Sequence, residues 1–286
     1  MAFAVGIALN LAFVGVEGVY GILSHSLALI ADAGHNLSDV LGLVVAWIGG
    51  VLSRRVPTAR YTYGLRSSSV LAALANAVFL LLAVGAIAWE AVQRLSAPEP
   101  VAGQTVIVVA SIGVAINAVT AVLFAKGRKS DINIEGAFLH MAADAAVSLG
   151  VVAAGILILW TGWLWLDPMM TLVISCVILV GTWRLLSRSV ALALDAVPAG
   201  IEPEKVRCHL LDVAGVAAIH DLHIWALSTT ETAMTCHLVM PAGHPGDVAL
   251  MRIAEDVHRT FGIGHATLQV ETGGEATCAL EPDHVV

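Results

Sequence analysis

Six apolar stretches fill the first two thirds of the sequence, near 2–23, 28–53, 68–92, 103–125, 133–161 and 167–187. Each has about the twenty residues that a helix needs to cross a hydrocarbon core. Backbone groups in lipid must be satisfied within their own segment, so such a chain folds its apolar part as helices spanning a membrane. A soluble fold is excluded on composition too, since 58% of the 286 residues are hydrophobic and only 13% charged, against about 25% charged in an ordinary soluble domain. The first stretch passes Glu17 with no basic start and no small-residue cleavage site. It reads as a helix rather than a removable leader.

Charge divides the chain. Residues 1–195 carry ten acidic and ten basic side chains, whereas 196–286 carry twelve acidic and four basic ones, the whole net charge of −8. Eight of the eleven His also lie beyond 195. The spacing predicts a transmembrane domain over 1–195, an acidic soluble domain over 196–275 and a tail over 276–286. Nucleic acid is excluded as a partner, because it needs basic patches. The four Cys (176, 208, 236, 278) form no CxxC, which argues against a zinc finger or a disulfide scaffold and fits a reducing compartment. Arg54, Arg55, Arg60 and Arg66 follow the second stretch, Lys126, Arg128 and Lys129 the fourth, and Arg184 and Arg188 end the sixth. Arg94 alone lies on the other side. Positive charge stays inside, so both termini and the acidic domain are expected in the cytoplasm.

Ionisable groups inside the spans carry the chemistry, because a mid-membrane charge costs about 3 kcal/mol or more. The second stretch reads Asp32-Ala-Gly-His35-Asn-Leu-Ser-Asp39 and the fifth His140-Met-Ala-Ala-Asp144. A His followed four residues later by Asp puts imidazole and carboxylate on one helix face, a turn apart. One such pair is ordinarily a buried hydrogen bond. Two pairs, in a region with only three His, give two nitrogen and two oxygen ligands, a tetrahedral set that suits zinc. Asp32 shares the stripe as a structural partner, a further ligand or a proton carrier. Glu17, Asn10 and Asn117 line a polar interior or serve helix packing.

In the soluble part, Glu202 to Ala214 reads as a helix with Pro203 in its first turn. Ala218–Leu227 and Thr232–Met240 read as strands joined by Ser-Thr-Thr-Glu, Asp247–Phe261 as an amphipathic helix and Ala266–Glu271 as a strand. The order αββαβ describes a small α+β sandwich of ferredoxin-like type. The fold expected for the chain is therefore an all-α six-helix transmembrane bundle followed by that domain.

The segment Gly21 to Asp39 resembles the cation diffusion facilitator family in its zinc-transporting branch. So do Tyr61-Thr-Tyr-Gly-Leu-Arg66, Ile134 to Asp144, Leu166-Asp-Pro168, Leu194 to Pro198 and Ile219-His-Asp-Leu-His-Ile-Trp-Ala-Leu227. The resemblance implies a homodimer in the bilayer, exporting metal in exchange for protons at a site between helices two and five. It also implies cytoplasmic metal ligands at His220, His237, His265 and Glu271, whose residue types suit zinc. Read from their residue types alone, Cys278, Asp283 and His284 in the tail offer a second, accessory site. His223 and Trp225 read as packing. The chain departs from the family at the second connection, which holds neither carboxylate nor His, and at Ser69, where many members carry Glu. Its fourth connection, Lys126 to Asp131, lacks the usual His.

The expected function is Zn²⁺/H⁺ antiport by alternating access in a bacterial inner membrane, with His35, Asp39, His140 and Asp144 as ligands. Zinc is the transported and bound ion, and no organic cofactor is expected. A membrane-bound metal sensor is the alternative. A metalloprotease is disfavoured by the missing HExxH, and a channel by ligands gathered at one level.

Overall fold

The structure is a computed structural model. It describes the backbone of residues 2–53, 55–125, 132–272, 278 and 280. The side chains of 2–10, 39, 42, 43, 46, 50, 53, 123, 124 and 132–137 fall outside the description, as do residues 126–131.

Six helices come first: α1 (Ala2–Leu23), α2 (Leu27–Ser53), α3 (Ser68–Ser96), α4 (Gly103–Ala125), α5 (Ile132–Thr161) and α6 (Leu166–Ala193). Among the described residues, Ser68–Ser96, Gly103–Val122, Phe138–Thr161 and Leu166–Ala193 are long and apolar enough to cross a membrane, with a shorter apolar stretch at Leu11–Leu23. α3 and α6 outrun their apolar stretches by a turn or more. At the end of α3, Arg94 pairs with Glu90 at 2.7 Å and donates to the carbonyl of His25 at 2.8 Å. A polar turn can therefore extend the helix past its apolar run.

The remaining elements are α7 (Pro203–Leu211), β1 (Ala218–Ala226), β2 (Thr232–Val239), α8 (Asp247–Phe261) and β3 (His265–Glu271). α7 stops three residues short of the expected Ala214, as the chain turns toward Gly215 at φ +93°, a conformation that glycine adopts without strain.

Packing divides the chain into two units, Met1–Val44 with Ala75–Leu185, and Val45–Leu74 with Leu186–Val286. In the first, Phe13, Leu29, Val84, Val106, Val109, Val151, Ile174 and Ile178 form the core with small alanines between them. α4 and α5 run in close contact because both carry glycine where they meet. A Cβ on Gly155 would stand 2.8 Å from Ile107 and 3.4 Å from the carbonyl oxygen of Gly103. Small residues give membrane helices this approach. The start of α2 is held by a side chain from α6: Asp167 accepts from the Leu27 amide at 2.8 Å and from the Ser26 hydroxyl. A carboxylate there satisfies amide groups that the helix cannot and meets the positive end of its dipole.

In the second unit, β1 pairs antiparallel with β2, and β2 pairs parallel with β3, in the order β1-β2-β3. One sheet face packs Met234, Leu238, Ile219 and Ile224 against Val206 and Leu210 of α7 and Ile253 and Val257 of α8. The ladder slips between His220 and His223, and Asp221 there has φ +51°. That bulge reorients one side chain without ending the strand. The ends of α2 and α3 also meet in this unit, with the missing Cβ of Gly49 only 2.8 Å from the Cα of Ser69.

Candidate metal centres

α2 and α5 bring His35, His140 and Asp144 together. The Asp144 carboxylate lies between the two imidazoles, 3.3 Å from Nε2 of His35 and 3.6 Å from Nε2 of His140. The rings stand 6.1 Å apart and nearly perpendicular. Asp39 follows His35 by one turn of α2; its side chain lies outside the description. Access is graded, because the side chain of His140 is 42% exposed, that of His35 17% and that of Asp144 2%. A cavity of about 440 Å³ opens on the two His, lined also by Ser38, Asn76, Leu80 and Thr182. The carboxylate is thus the floor of the site and His140 its entrance.

Behind the floor lies a layer of fully buried polar groups. Asp32 accepts from the Ser148 hydroxyl at 2.9 Å, tying α2 to α5 one turn beyond Asp144. Glu17 of α1 accepts from the Asn36 amide at 3.3 Å. Asp32 therefore stands in the supporting layer, and such partners fix the orientation of ligating side chains. Asn117 is buried as well, and Asn10 lies outside the described side chains. Ser148 extends the stripe of His140 and Asp144 by another four residues; that spacing was its only signal in the sequence.

The C-terminal domain gathers a second set. His220 and His237 face each other across the β1–β2 ladder with rings 4.9 Å apart. Glu271, at the end of β3, reaches both: Oε2 lies 3.0 Å from His220 Nε2 and Oε1 2.9 Å from His237 Nδ1. Cys278 places its sulfur 3.6 Å from the same His237 nitrogen. One ligand atom from each of these four residues lies within 4.8 Å of the others. Two imidazoles, a carboxylate and a thiol form a tetrahedral donor set that fits zinc. Burial alone would raise the Glu271 carboxyl, but hydrogen bonds from His220 and Cys278 and the charges of His220 and His237 outweigh it and hold the group below the ordinary carboxylate range.

His265 does not join this set. It begins β3, opposite Ala233, and its ring meets Tyr63 edge-on at 5.6 Å. The cluster draws its fourth member from the tail instead, while Asp283 and His284 lie outside the described residues. The bulge contributes a further residue, Asp221, whose carboxylate bridges His223 at 2.9 Å and His237 at 3.4 Å. Regular alternation would have sent it elsewhere, and no spacing along the strand marks it. Burial pushes the Cys236 thiol up to about 12, marking a core residue rather than a ligand.

Two family models cover this architecture. One, the cation efflux transmembrane domain, matches residues 3–192, and the other, the cytoplasmic domain of cation efflux proteins, matches 198–273. The chain belongs to the cation diffusion facilitator family, in its zinc branch. It is 38% identical over 261 residues to zinc transporter ZitB of Pectobacterium atrosepticum, covering 91% of this chain and 81% of that protein. It is 34% identical to the metal cation efflux system protein CzcD of Cupriavidus metallidurans, over 93% and 85% of the two chains. A cadmium, cobalt and zinc/H(+)-K(+) antiporter of Bacillus velezensis is 33% identical over 90% and 83%. As a member of this family the chain is a multi-pass membrane transporter for zinc or related cations, with a cytoplasmic domain after its helices.

Proposed function

We propose that the protein is a Zn²⁺/H⁺ antiporter that exports zinc by alternating access. The observation that carries this reading is the convergence of His35, His140 and Asp144 from two helices on one cavity. Zinc is the substrate, held by these three and Asp39. Two carboxylates offset the charge of the dication, which a low-dielectric site would otherwise penalise heavily. Zinc takes neutral imidazole and ionised carboxylate, so its entry expels protons and their return on the far side expels zinc. Movement of α2 and α5 relative to the other helices exposes the site to each side in turn. The antiporter named among the relatives supports proton exchange in this chain. Nine basic residues at one set of helix ends and connections, against one at the other, support cytoplasmic termini in a bacterial inner membrane.

The protein works as a homodimer, each protomer carrying its own transport site. The four cytoplasmic residues hold zinc as well, apart from the transport path. Zinc flux into proteoliposomes tests the reading: purified protein should carry zinc, and His35→Ala should not. A membrane-bound sensor, by contrast, would bind zinc at the cytoplasmic cluster and give no flux with either protein.

A further inference from the structure

The two histidines of the cytoplasmic cluster are held in different ways. His220 turns Nε2 toward Glu271 at 3.0 Å, and its other ring nitrogen, Nδ1, is buried with no hydrogen-bond partner among the described residues. His237 turns Nδ1 toward the centre, 2.9 Å from Glu271 and 3.6 Å from the Cys278 sulfur. Its far nitrogen, Nε2, faces the Asp221 carboxylate, with Oδ2 at 3.4 Å. The side chains of His237 and Asp221 are only 9% and 11% exposed, so little water competes for that contact.

The backbone brings Asp221 there. Side chains alternate faces along a regular strand, so an unbroken ladder would send Asp221 to the face opposite His220. The register instead slips between His220 and His223, where Asp221 has φ +51°. That region is costly for most side chains and is entered chiefly by Gly, Asn and Asp. The bulge turns the carboxylate back toward the histidines, where Oδ1 also meets Nε2 of His223 at 2.9 Å. A backbone cost is thus accepted at the one position from which a carboxylate reaches the far side of His237.

We propose that Asp221 is the positioning residue of the cytoplasmic metal cluster: it keeps the ring proton of His237 on Nε2 and so presents an unprotonated Nδ1 to the metal. The proposal rests on the reading that this cluster holds zinc. A neutral imidazole carries one proton, and the nitrogen that keeps it cannot bind metal. A carboxylate at the far nitrogen selects the tautomer, fixes the plane of the ring and makes the near nitrogen a stronger donor. His223 shares the same carboxylate from the solvent side, where its side chain is 43% exposed. The cluster is therefore asymmetric, with His237 the pre-set ligand and His220 the ligand that the metal itself orients.

Zinc affinity is measured in the full-length protein carrying Asp144→Ala, which takes the transport site out of the count, by competition with a chromophoric chelator. Asp221→Gly removes the carboxylate and adopts φ +51° without strain. Asp221→Asn keeps the size and backbone preference, removes the charge, and serves as a second variant should the first fail to fold. Each should weaken zinc binding roughly 10–100-fold, the range for loss of an outer partner. Cobalt(II) at saturation should give the same tetrahedral, thiolate-containing absorption spectrum with and without Asp221. In a His237→Ala background the Asp221 changes should cost nothing further, because positioning acts only through that ring. Losses that add to that of His237→Ala would make Asp221 a prop of the strand and overturn the assignment. A cobalt spectrum that changes with Asp221 would make it a ligand and overturn it too, as would zinc held equally tightly by all the variants. Absence of zinc from the Asp144→Ala protein itself would instead overturn the zinc reading of the cluster on which the assignment rests.

Discussion

At the scale of single residues, Asp144 matters most because two imidazoles share it. Asp144→Asn keeps its size and removes its charge. Zinc flux should fall by more than the roughly 10–100-fold that loss of an outer partner costs a metal site, with the protein still eluting as wild type. Ser148→Ala strips a hydrogen bond from the buried carboxylate of Asp32 and should fall inside that range; equal losses in both variants would make Asp144 no more than a supporting group. The thiols make a second contrast. Maleimide labelling read site by site by mass spectrometry should modify Cys278 more slowly once zinc is added. Cys236, buried and with its thiol raised to about 12, should stay unmodified until the chain unfolds. Labelling of Cys278 at one rate with and without zinc would remove it from the cluster. The i, i+4 spacing made His35, His140 and Asp144 legible from sequence, since helix geometry turns spacing directly into proximity. No such rule covers Asp221, which depends on a bulge, or Cys278, which depends on the path of a tail.

At the scale of elements, hydropathy located the starts of all six helices to within a residue, because lipid leaves an apolar run no other structure. It located the ends of α3 and α6 less well, because Arg94 and Arg188 continue a helix that hydropathy alone would stop. α8 was legible at both ends, from its amphipathic face and from Gly262, whose φ of +73° ends it. The α4–α5 contact was not legible, since a glycine in an apolar run is read as a small residue until its neighbour is known. Gly155→Val tests that contact. The added side chain meets Ile107 and the Gly103 carbonyl, an overpacking that costs about 1–3 kcal/mol. The detergent-solubilised protein should melt several degrees lower while Gly181→Ala, with open space around its Cβ, should melt like wild type.

At the scale of the whole molecule, exchange of zinc for protons requires that a pH gradient alone drive zinc uptake into inverted vesicles and that a protonophore collapse it. Uptake indifferent to the protonophore would mean that another ion, or none, returns. The shared carboxylate bears on which metals reach that step. His35 and His140 stand 3.3 and 3.6 Å from the two oxygens of Asp144, so a cation placed among these groups meets two nitrogen donors and a carboxylate at once. Sodium, potassium and magnesium bind imidazole weakly and gain little from the nitrogens. Zinc gains bonds to nitrogen and oxygen alike. Nitrogen donors on either side of one carboxylate thus set a sieve by ligand type, which abundance alone does not pass.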